Sequence, residues 1–181
     1  MYRVKDFILM EVFNVNGKKI GYINDILIDF DKKRVIGFKV SSSGIFSNSI
    51  NVLNEDIISF NNVMIVDKFN KNRYFSFSEI KGLDTVDNCG NIIGVIEECI
   101  FRKNDFYITG LLISTGFFNN FINGKLAIPV CNTILGEDNL LNYKQCDKFN
   151  LRSMPHKLFK KDGEIKIVEE LILSEIIPIT A

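Results

Sequence analysis

Acidic side chains cluster in one short stretch near the N-terminus, and they are the first candidates for chemistry. Asp25, Asp29 and Asp31 lie within a span of seven residues. Carboxylates this close together can serve as a general acid and base, or can bind a hard cation such as Ca²⁺. Asp29 and Asp31 also fall at the predicted end of a strand, where acidic side chains commonly fix turns. We therefore expect turn-forming roles, and we predict no catalytic residue, metal site or cofactor.

The thiols and the single imidazole do not form a nucleophilic or zinc-binding pattern. No Cys-x-x-Cys pair is present, and the first 88 residues contain no cysteine; the four are Cys89, Cys99, Cys131 and Cys146. Zinc sites need close ligand pairs, and a secreted disulfide framework would serve both halves. We expect reduced thiols, with Cys99 packed as a small hydrophobe and Cys89 exposed. His156 has no hydrolase motif nearby, so we interpret it as a surface residue and predict a protein that is not an enzyme.

Composition bounds the class of protein. The chain has 181 residues, of which 46% are hydrophobic, and its formal net charge is +0. Such a chain forms one medium globular domain or two small ones. A basic face is typical of duplex-binding proteins, and the one basic run, 156–161, is followed at once by acids, so we do not expect direct nucleic-acid binding. No window approaches the roughly 18 apolar residues of a membrane span, so we expect a cytoplasmic protein whose oligomeric state stays open.

The glycines around the acids belong to an element that the chain uses twice. Gly17 and Gly21 return as Gly90 and Gly94 at a constant offset (90 − 17 = 73). A phosphate-binding loop would need these glycines to open a helix, whereas here they open an apolar strand. We therefore predict structural turns or bends at these positions: Gly17, Gly21, Asp25, Asp29, Gly37, Gly90, Gly94, Glu98 and Gly110.

Short apolar runs separated by turn signals indicate β-structure throughout. The Asn16-Gly17 pair predicts a hairpin between two of these runs. Residues 54–58 predict a single helical turn with Asn54 as its N-cap. Strands are predicted at 7–15, 20–28, 35–40, 49–53 and 63–66. About five strands at this spacing are typical of a sandwich or small barrel, and in the 20–28 strand we expect simple alternation of faces.

The repeat divides the chain into four predicted regions. We expect a first barrel at 1–68, a linker at 69–79, a second barrel at 80–145 and a C-terminal extension at 146–181. A barrel of about 70 residues buries too little surface to be very stable alone. The extension is therefore expected to cover apolar surface beside the barrels.

The pattern at 17–29, followed by the strand at 35–40, resembles the PRC-barrel domain. That resemblance covers 5–67 well and 80–143 less well, and it implies an all-β fold of two tandem, highly bent β-barrels. The second copy departs from the pattern, because Glu98 stands where Asp25 does and Arg102 where Asp29 does. The family occurs in the photosynthetic reaction-centre H subunit, in a bacterial ribosome maturation factor, and in stand-alone bacterial proteins that include sporulation-linked ones.

The resemblance implies a non-enzymatic adaptor that binds a protein partner, in sporulation or envelope assembly. The alternative is an accessory factor in RNA processing or ribosome assembly. Small-residue loops in both copies carry aromatic or aliphatic side chains that either plug the barrels or dock the partner: Ile45, Phe46, Phe117, Phe118 and Phe121. Both alternatives stay open at this point.

Overall fold

The computed structural model describes residues 1–42, 49–117, 120, 124–144 and 149–151, the last three by their backbone alone. The first copy contains β1 (Tyr2–Arg3), β2 (Glu11–Asn14), β3 (Lys19–Asp29), β4 (Arg34–Ser41), β5 (Ser49–Leu53), β6 (Ile57–Phe60) and β7 (Val63–Val66). The second contains β8 (Asp84–Asp87), β9 (Ile92–Phe101), β10 (Ile108–Ser114), β11 (Lys125–Pro129), β12 (Thr133–Leu135), β13 (Asn139–Asn142) and β14 (Phe149–Leu151). Short 3₁₀ helices lie at Val4–Asp6, Asn54–Asp56, Phe77–Glu79 and Val130–Asn132.

Each copy folds into one curled sheet, which confirms the predicted all-β fold of tandem bent barrels. The strand order is β5-β4-β3-β2-β7-β6 in the first sheet and β12-β13-β8-β9-β10-β11-β14 in the second. The second order matches the first when it is read in the opposite direction. The longest strands, β3 and β9, occupy equivalent places in the two sheets. The closing pairs β2–β7 and β8–β13 are parallel, so the hairpin β6–β7 packs beside β2 and the hairpin β12–β13 packs beside β8.

The predicted simple alternation of faces in β3 was wrong, because the strand contains two bulges. The register with β4 shifts between Ile23 and Asp25 and again between Leu27 and Ile28. A bulge inserts one extra residue and sharpens the bend, so side chains that would face outward turn into the core. Ile26 and Ile28 join the core cluster, whereas Leu27 between them is also buried and forms an isolated bridge with Ser76.

Three local predictions for the first copy were wrong in detail. The strand predicted at 7–15 begins only at Glu11, because Leu9 takes a left-handed φ of 69° and turns the chain. Asn54 is not an N-cap, since its Nδ2 donates to the Val35 carbonyl at 2.6 Å while Leu53 holds the cap position. The chain after this 3₁₀ turn forms β6, a strand that the sequence analysis missed.

The two copies exchange their N-terminal segments. Tyr2 and Arg3 pair with Phe101 and Ile100 of β9 in the second copy. In the equivalent contact 73 residues later, the Ile28 amide of β3 donates to the Phe75 carbonyl at 2.8 Å. We call Tyr2–Arg3 the arm of the first copy and the equivalent residues 75–76 the arm of the second. The arm of the second copy thus lies in the segment predicted as a linker, and it pairs with the first copy.

A second pair of equivalent contacts joins the copies around a pseudo-two-fold axis. The Val35 amide donates to the Phe106 carbonyl at 2.9 Å, and the Ile108 amide donates to the Lys33 carbonyl at 2.7 Å. Lys33 and Phe106 both take left-handed φ values, 54° and 57°, which aim these carbonyls across the axis. The repeat is therefore built as an intramolecular pseudo-dimer.

The hydrophobic core runs through the seam between the copies without interruption. Phe7 of the first copy stacks on Phe101 of the second with 5.8 Å between ring centroids, and Tyr2 meets the Phe7 edge at 4.9 Å. Phe60 and Phe106 extend the same cluster across the seam at 5.9 Å. Burial of apolar area is the main stabilising term in folding, so each copy depends on the other for its stability.

Candidate interaction surface

The acids that follow the glycines lie at the seam and cap the helices of the opposite copy. Asp25 is buried, and its Oδ2 accepts the Ser78 amide of the second copy at 3.1 Å. Glu98 of the second copy accepts the Val4 amide of the first at 3.2 Å through Oε1. A carboxylate at the start of a helical turn satisfies an amide that has no partner within the turn. The role is thus shared by both copies, although one residue is aspartate and the other glutamate.

Glu98 should make the stability of the protein depend on pH. Burial raises its pKa above the ordinary value of 4.5, and the amide hydrogen bonds that it accepts only partly oppose this. A carboxyl with a raised folded-state pKa favours folding at pH values below its unfolded pKa. That contribution is lost as the pH rises through the raised value.

We expect Glu98→Gln to keep the acceptor for Val4 while removing this titration. Between pH 4 and 8, urea unfolding should show the variant gaining stability relative to the wild type as the pH rises. Glu137→Gln, at an exposed position between β12 and β13, serves as the control for the loss of one carboxylate. Parallel pH profiles for the wild type and Glu98→Gln would contradict the expectation.

Asp29 fixes the turn after β3. Its Oδ1 accepts the Lys32 amide at 3.0 Å, and this hydrogen bond, supported by the Lys32 ammonium at 2.9 Å, lowers the pKa of the carboxyl. At the equivalent position, the Arg102 Nε donates to Asp105 Oδ1 at 3.0 Å, so the second copy makes the turn contact with the charges reversed. Within the described ranges, no three His, Cys, Asp or Glu side chains gather closely enough to hold a metal ion.

The glycines allow backbones to approach each other at the bends of the barrels. A Cβ on Gly21 would lie 2.3 Å from the Ser41 carbonyl oxygen, and one on Gly94 would lie 2.3 Å from that of Ser114. The same limit applies at Gly37, where the Val52 carbonyl oxygen would be 2.2 Å away, and less severely at Gly110. Gly17 and Gly90 instead take left-handed φ values in the two hairpin turns.

The thiols fall into two environments. Cys99 is buried in the core, and burial raises the pKa of its thiol well above the usual range. Cys89 is exposed in the hairpin turn, but Cys131 is also exposed, so the expectation of one exposed thiol was incomplete. Cys131 lies in the 3₁₀ helix Val130–Asn132, which leaves its side chain at the surface. Cys146 lies outside the described residues.

Among the aromatic-loop residues, Phe117 is the one that the structure describes. The candidates Ile45, Phe46, Phe118 and Phe121 lie outside the described residues. Phe117 is 80% exposed, and it borders a surface cleft of about 570 Å³ in the second copy. The residues that line this cleft, hereafter the Phe117 cleft, are Lys81, Gly82, Val95, Ile96, Glu97, Ser114, Phe117, Asn120 and Lys125.

The polar side chains of the Phe117 cleft are held by strand geometry and by local hydrogen bonds. A register shift between β9 and β10 leaves Glu97 at a bulge, and its Oε1 binds the Lys125 Nζ at 2.5 Å. Asn120 Nδ2 donates to Ser114 Oγ at 2.7 Å, and its Oδ1 accepts the Thr115 amide at 3.0 Å. These contacts place a fixed polar rim beside the apolar lining.

A glycine opens the Phe117 cleft where the first copy carries a large side chain. Gly82 has a φ of 90°, and a Cβ there would meet no atom within 4 Å. The equivalent residue in the first copy is Leu9, which has a similar φ of 69° and is 74% exposed. Gly82 thus leaves room beside the cleft where the first copy has a leucine side chain, and it is not one of the glycines repeated between the copies.

A smaller cleft of about 400 Å³ lies where the arm of the second copy crosses β3. It is lined by Ile28, Asp29, Phe30, Asp31, Ile36 and Phe75. Its two carboxylates make it acidic, in contrast to the two lysines of the Phe117 cleft. Phe75 lies in the segment predicted as a linker, and no local pattern places it in one cleft with Asp29.

Comparison with known families agrees with this architecture. The family model for the PRC-barrel domain matches the chain twice, at residues 1–73 and 72–141. The chain belongs to the PRC-barrel family. PRC-barrel domains are small binding modules, so the coarse functional assignment is to binding. A search of curated proteins found no match. Within the part that the structure describes, no helix is long and apolar enough to cross a membrane.

A four-residue motif that follows β7 is repeated after β13. Asp67-Lys68-Phe69-Asn70 returns as Asp147-Lys148-Phe149-Asn150. Asn70 pairs with Asn51 on β5 through two hydrogen bonds of 2.7 and 2.9 Å, while Phe149–Leu151 pairs with β11. Each PRC barrel thus covers an edge strand with the segment that follows it, and the extension begins as part of the second sheet.

Proposed function

We propose that this PRC-barrel protein is a non-enzymatic adaptor that binds a partner protein through the Phe117 cleft. The observation that carries the proposal is the exposure of Phe117 beside the apolar side chains of Val95 and Ile96. Large exposed aromatics next to an apolar cleft are typical of the residues that dominate protein–protein affinity. The ion-paired rim suits a protein surface, because it offers polar contacts around an apolar centre.

The cellular setting belongs to the same proposal. A role in sporulation or envelope assembly is supported by the resemblance to stand-alone family members alone. An RNA-processing or ribosome-assembly role is the alternative, and the net charge of +0 weighs against direct RNA contact. We therefore place the protein among cytoplasmic adaptors, with the identity of its partner to be found by experiment.

Phe117→Asp should abolish recovery of the partner without unfolding the protein. The side chain is largely exposed, so its replacement should change the free energy of unfolding by only about 0.5 kcal/mol. A carboxylate at the centre of an apolar contact costs far more on binding, and we expect at least a tenfold loss of captured partner. The measurement is affinity capture from lysate of the native host, with mass spectrometry and a thermal unfolding curve for each variant.

Ile134→Asp is the matched control, because Ile134 is 55% exposed on β12 and lies outside the Phe117 cleft. Equal loss of partner in both variants would contradict a role for the cleft. Recovery of ribosomal proteins in stoichiometric yield, sensitive to Phe117→Asp, would replace the adaptor proposal with the ribosome-assembly alternative. A capture that succeeds only in sporulating cultures would assign the partner to that stage.

A further inference from the structure

The chain leaves the second barrel at the rim of the Phe117 cleft. Strand β14 runs antiparallel to β11, with Phe149 opposite Ala127 and Leu151 opposite Lys125. Lys125 itself lines the cleft. The residues that follow Leu151 therefore start beside the cleft rather than on the far side of the molecule.

The sequence beyond this point contains a segment whose chemistry complements the Phe117 cleft. Residues 167–177 read Ile-Val-Glu-Glu-Leu-Ile-Leu-Ser-Glu-Ile-Ile, with three glutamates and no lysine or arginine. The cleft offers an apolar lining with two lysines, Lys81 and Lys125, against one glutamate, Glu97. Because Lys125 is already paired with Glu97, Lys81 is the cation that a bound carboxylate would meet first.

We propose that residues 167–177 of the same chain occupy the Phe117 cleft. An apolar side chain of the segment packs against Phe117 and over the surface that Gly82 leaves open, and a glutamate binds Lys81. The fifteen residues from 152 to 166 span up to about 50 Å when extended, so the segment reaches the cleft without strain. Tethering gives it an effective concentration of roughly millimolar, so a weak contact is enough for occupancy.

This occupancy would make the extension an autoinhibitory ligand that a partner has to displace. Occupancy of the cleft in cis does not need the proposed adaptor function, whereas its autoinhibitory consequence rests on that function. A cleft filled in cis is measurable on the purified protein, whereas the adaptor proposal is tested by capture of a partner. Failure of one therefore leaves the other standing.

Fluorescence of a Phe117→Trp variant shows directly whether the Phe117 cleft is covered. The chain contains no tryptophan, so Phe117→Trp introduces a single fluorophore at the site. In the full-length protein we expect blue-shifted emission and several-fold protection from acrylamide quenching. Adding Glu169→Lys and Glu170→Lys should shift the emission to the red and remove the protection, because two of the three charges of the segment would then repel Lys81.

Asp162→Lys with Glu164→Lys is the matched control, since it makes the same change in charge outside the segment and should leave the emission blue-shifted. A further Lys81→Glu in the Glu169→Lys, Glu170→Lys protein should restore protection, which a merely unfolded variant cannot do. Far-ultraviolet circular dichroism checks the fold of each protein. Solvent-like emission in the parent Phe117→Trp protein would overturn the proposal. Protection that grows with protein concentration would also overturn it, by assigning the cleft to a second copy.

Discussion

Phe7→Ala should lower the free energy of unfolding by about 3–5 kcal/mol and should destabilise both barrels together. The Phe7 ring is 1% exposed, and it packs on Phe38 of its own copy at 4.8 Å and on Phe101 of the other at 5.8 Å. Removing the ring leaves a cavity in the large core cluster that both copies share. Urea unfolding followed by circular dichroism and by tyrosine fluorescence measures the effect.

The shape of the Phe7→Ala transition separates a pseudo-dimer from two independent domains. Because the arms are exchanged and the core is continuous, we expect one transition with coincident probes. Phe69→Ala is the control, since Phe69 is 49% exposed and its loss should cost much less. Two resolved transitions, of which only the first moves in Phe7→Ala, would show that the copies fold independently.

Thr85→Val combined with Asn142→Val should stabilise the protein by about 1–3 kcal/mol. Thr85 and Asn142 are buried, and the Thr85 hydroxyl and both amide atoms of Asn142 have no hydrogen-bond partner among the residues that the structure describes. The first copy has Val12 and Val66 at the corresponding register positions of β2 and β7, and both are buried. The substitutions thus give the second barrel the apolar pair of the first, and volume is nearly conserved at Thr85.

Thr133→Val provides the control for the valine pair. Thr133 is also buried, but its hydroxyl donates to the Val130 carbonyl at 2.8 Å, so its loss should cost about 1 kcal/mol. The midpoint of urea unfolding should therefore rise for the double variant and fall for the control. If both fell, Thr85 and Asn142 would have to be satisfied by bound water or by a ligand inside the barrel.

Local patterns accounted for most of the strands. The runs at 49–53 and 63–66 coincide with β5 and β7, because their apolar residues are bounded by turn-forming asparagine, serine and aspartate. The predicted start of the first long strand was wrong, because residues 7–10 are not part of β2. Leu9 turns the chain with a left-handed φ, a conformation that leucine rarely takes and that no propensity would predict.

The sequence predicted far fewer residues of the interaction surface than of the strands. Phe117 was found because a small-residue loop carried aromatics, yet whether it plugs the barrel or faces solvent depends on where the ends of β10 and β11 lie. Lys81, Gly82 and Glu97 were not proposed at all, because they come from separate segments that meet only in the folded second barrel. A bulge in β9 decides that Glu97 points toward Lys125, and a bulge depends on the pairing of two strands.

The sequence by itself determined the repeat, the glycines that bend each barrel, and the PRC-barrel family, because each is carried by residues close together in the chain. Only the tertiary structure decided how the two copies combine. Asp25 caps the helix of the second copy and Glu98 that of the first because the arms cross over before they pair. Two-residue strands such as Tyr2–Arg3 have no periodicity of their own, so their partners are chosen by the shared aromatic core and the distant carboxylates. Those interactions exist only once both copies are folded against each other.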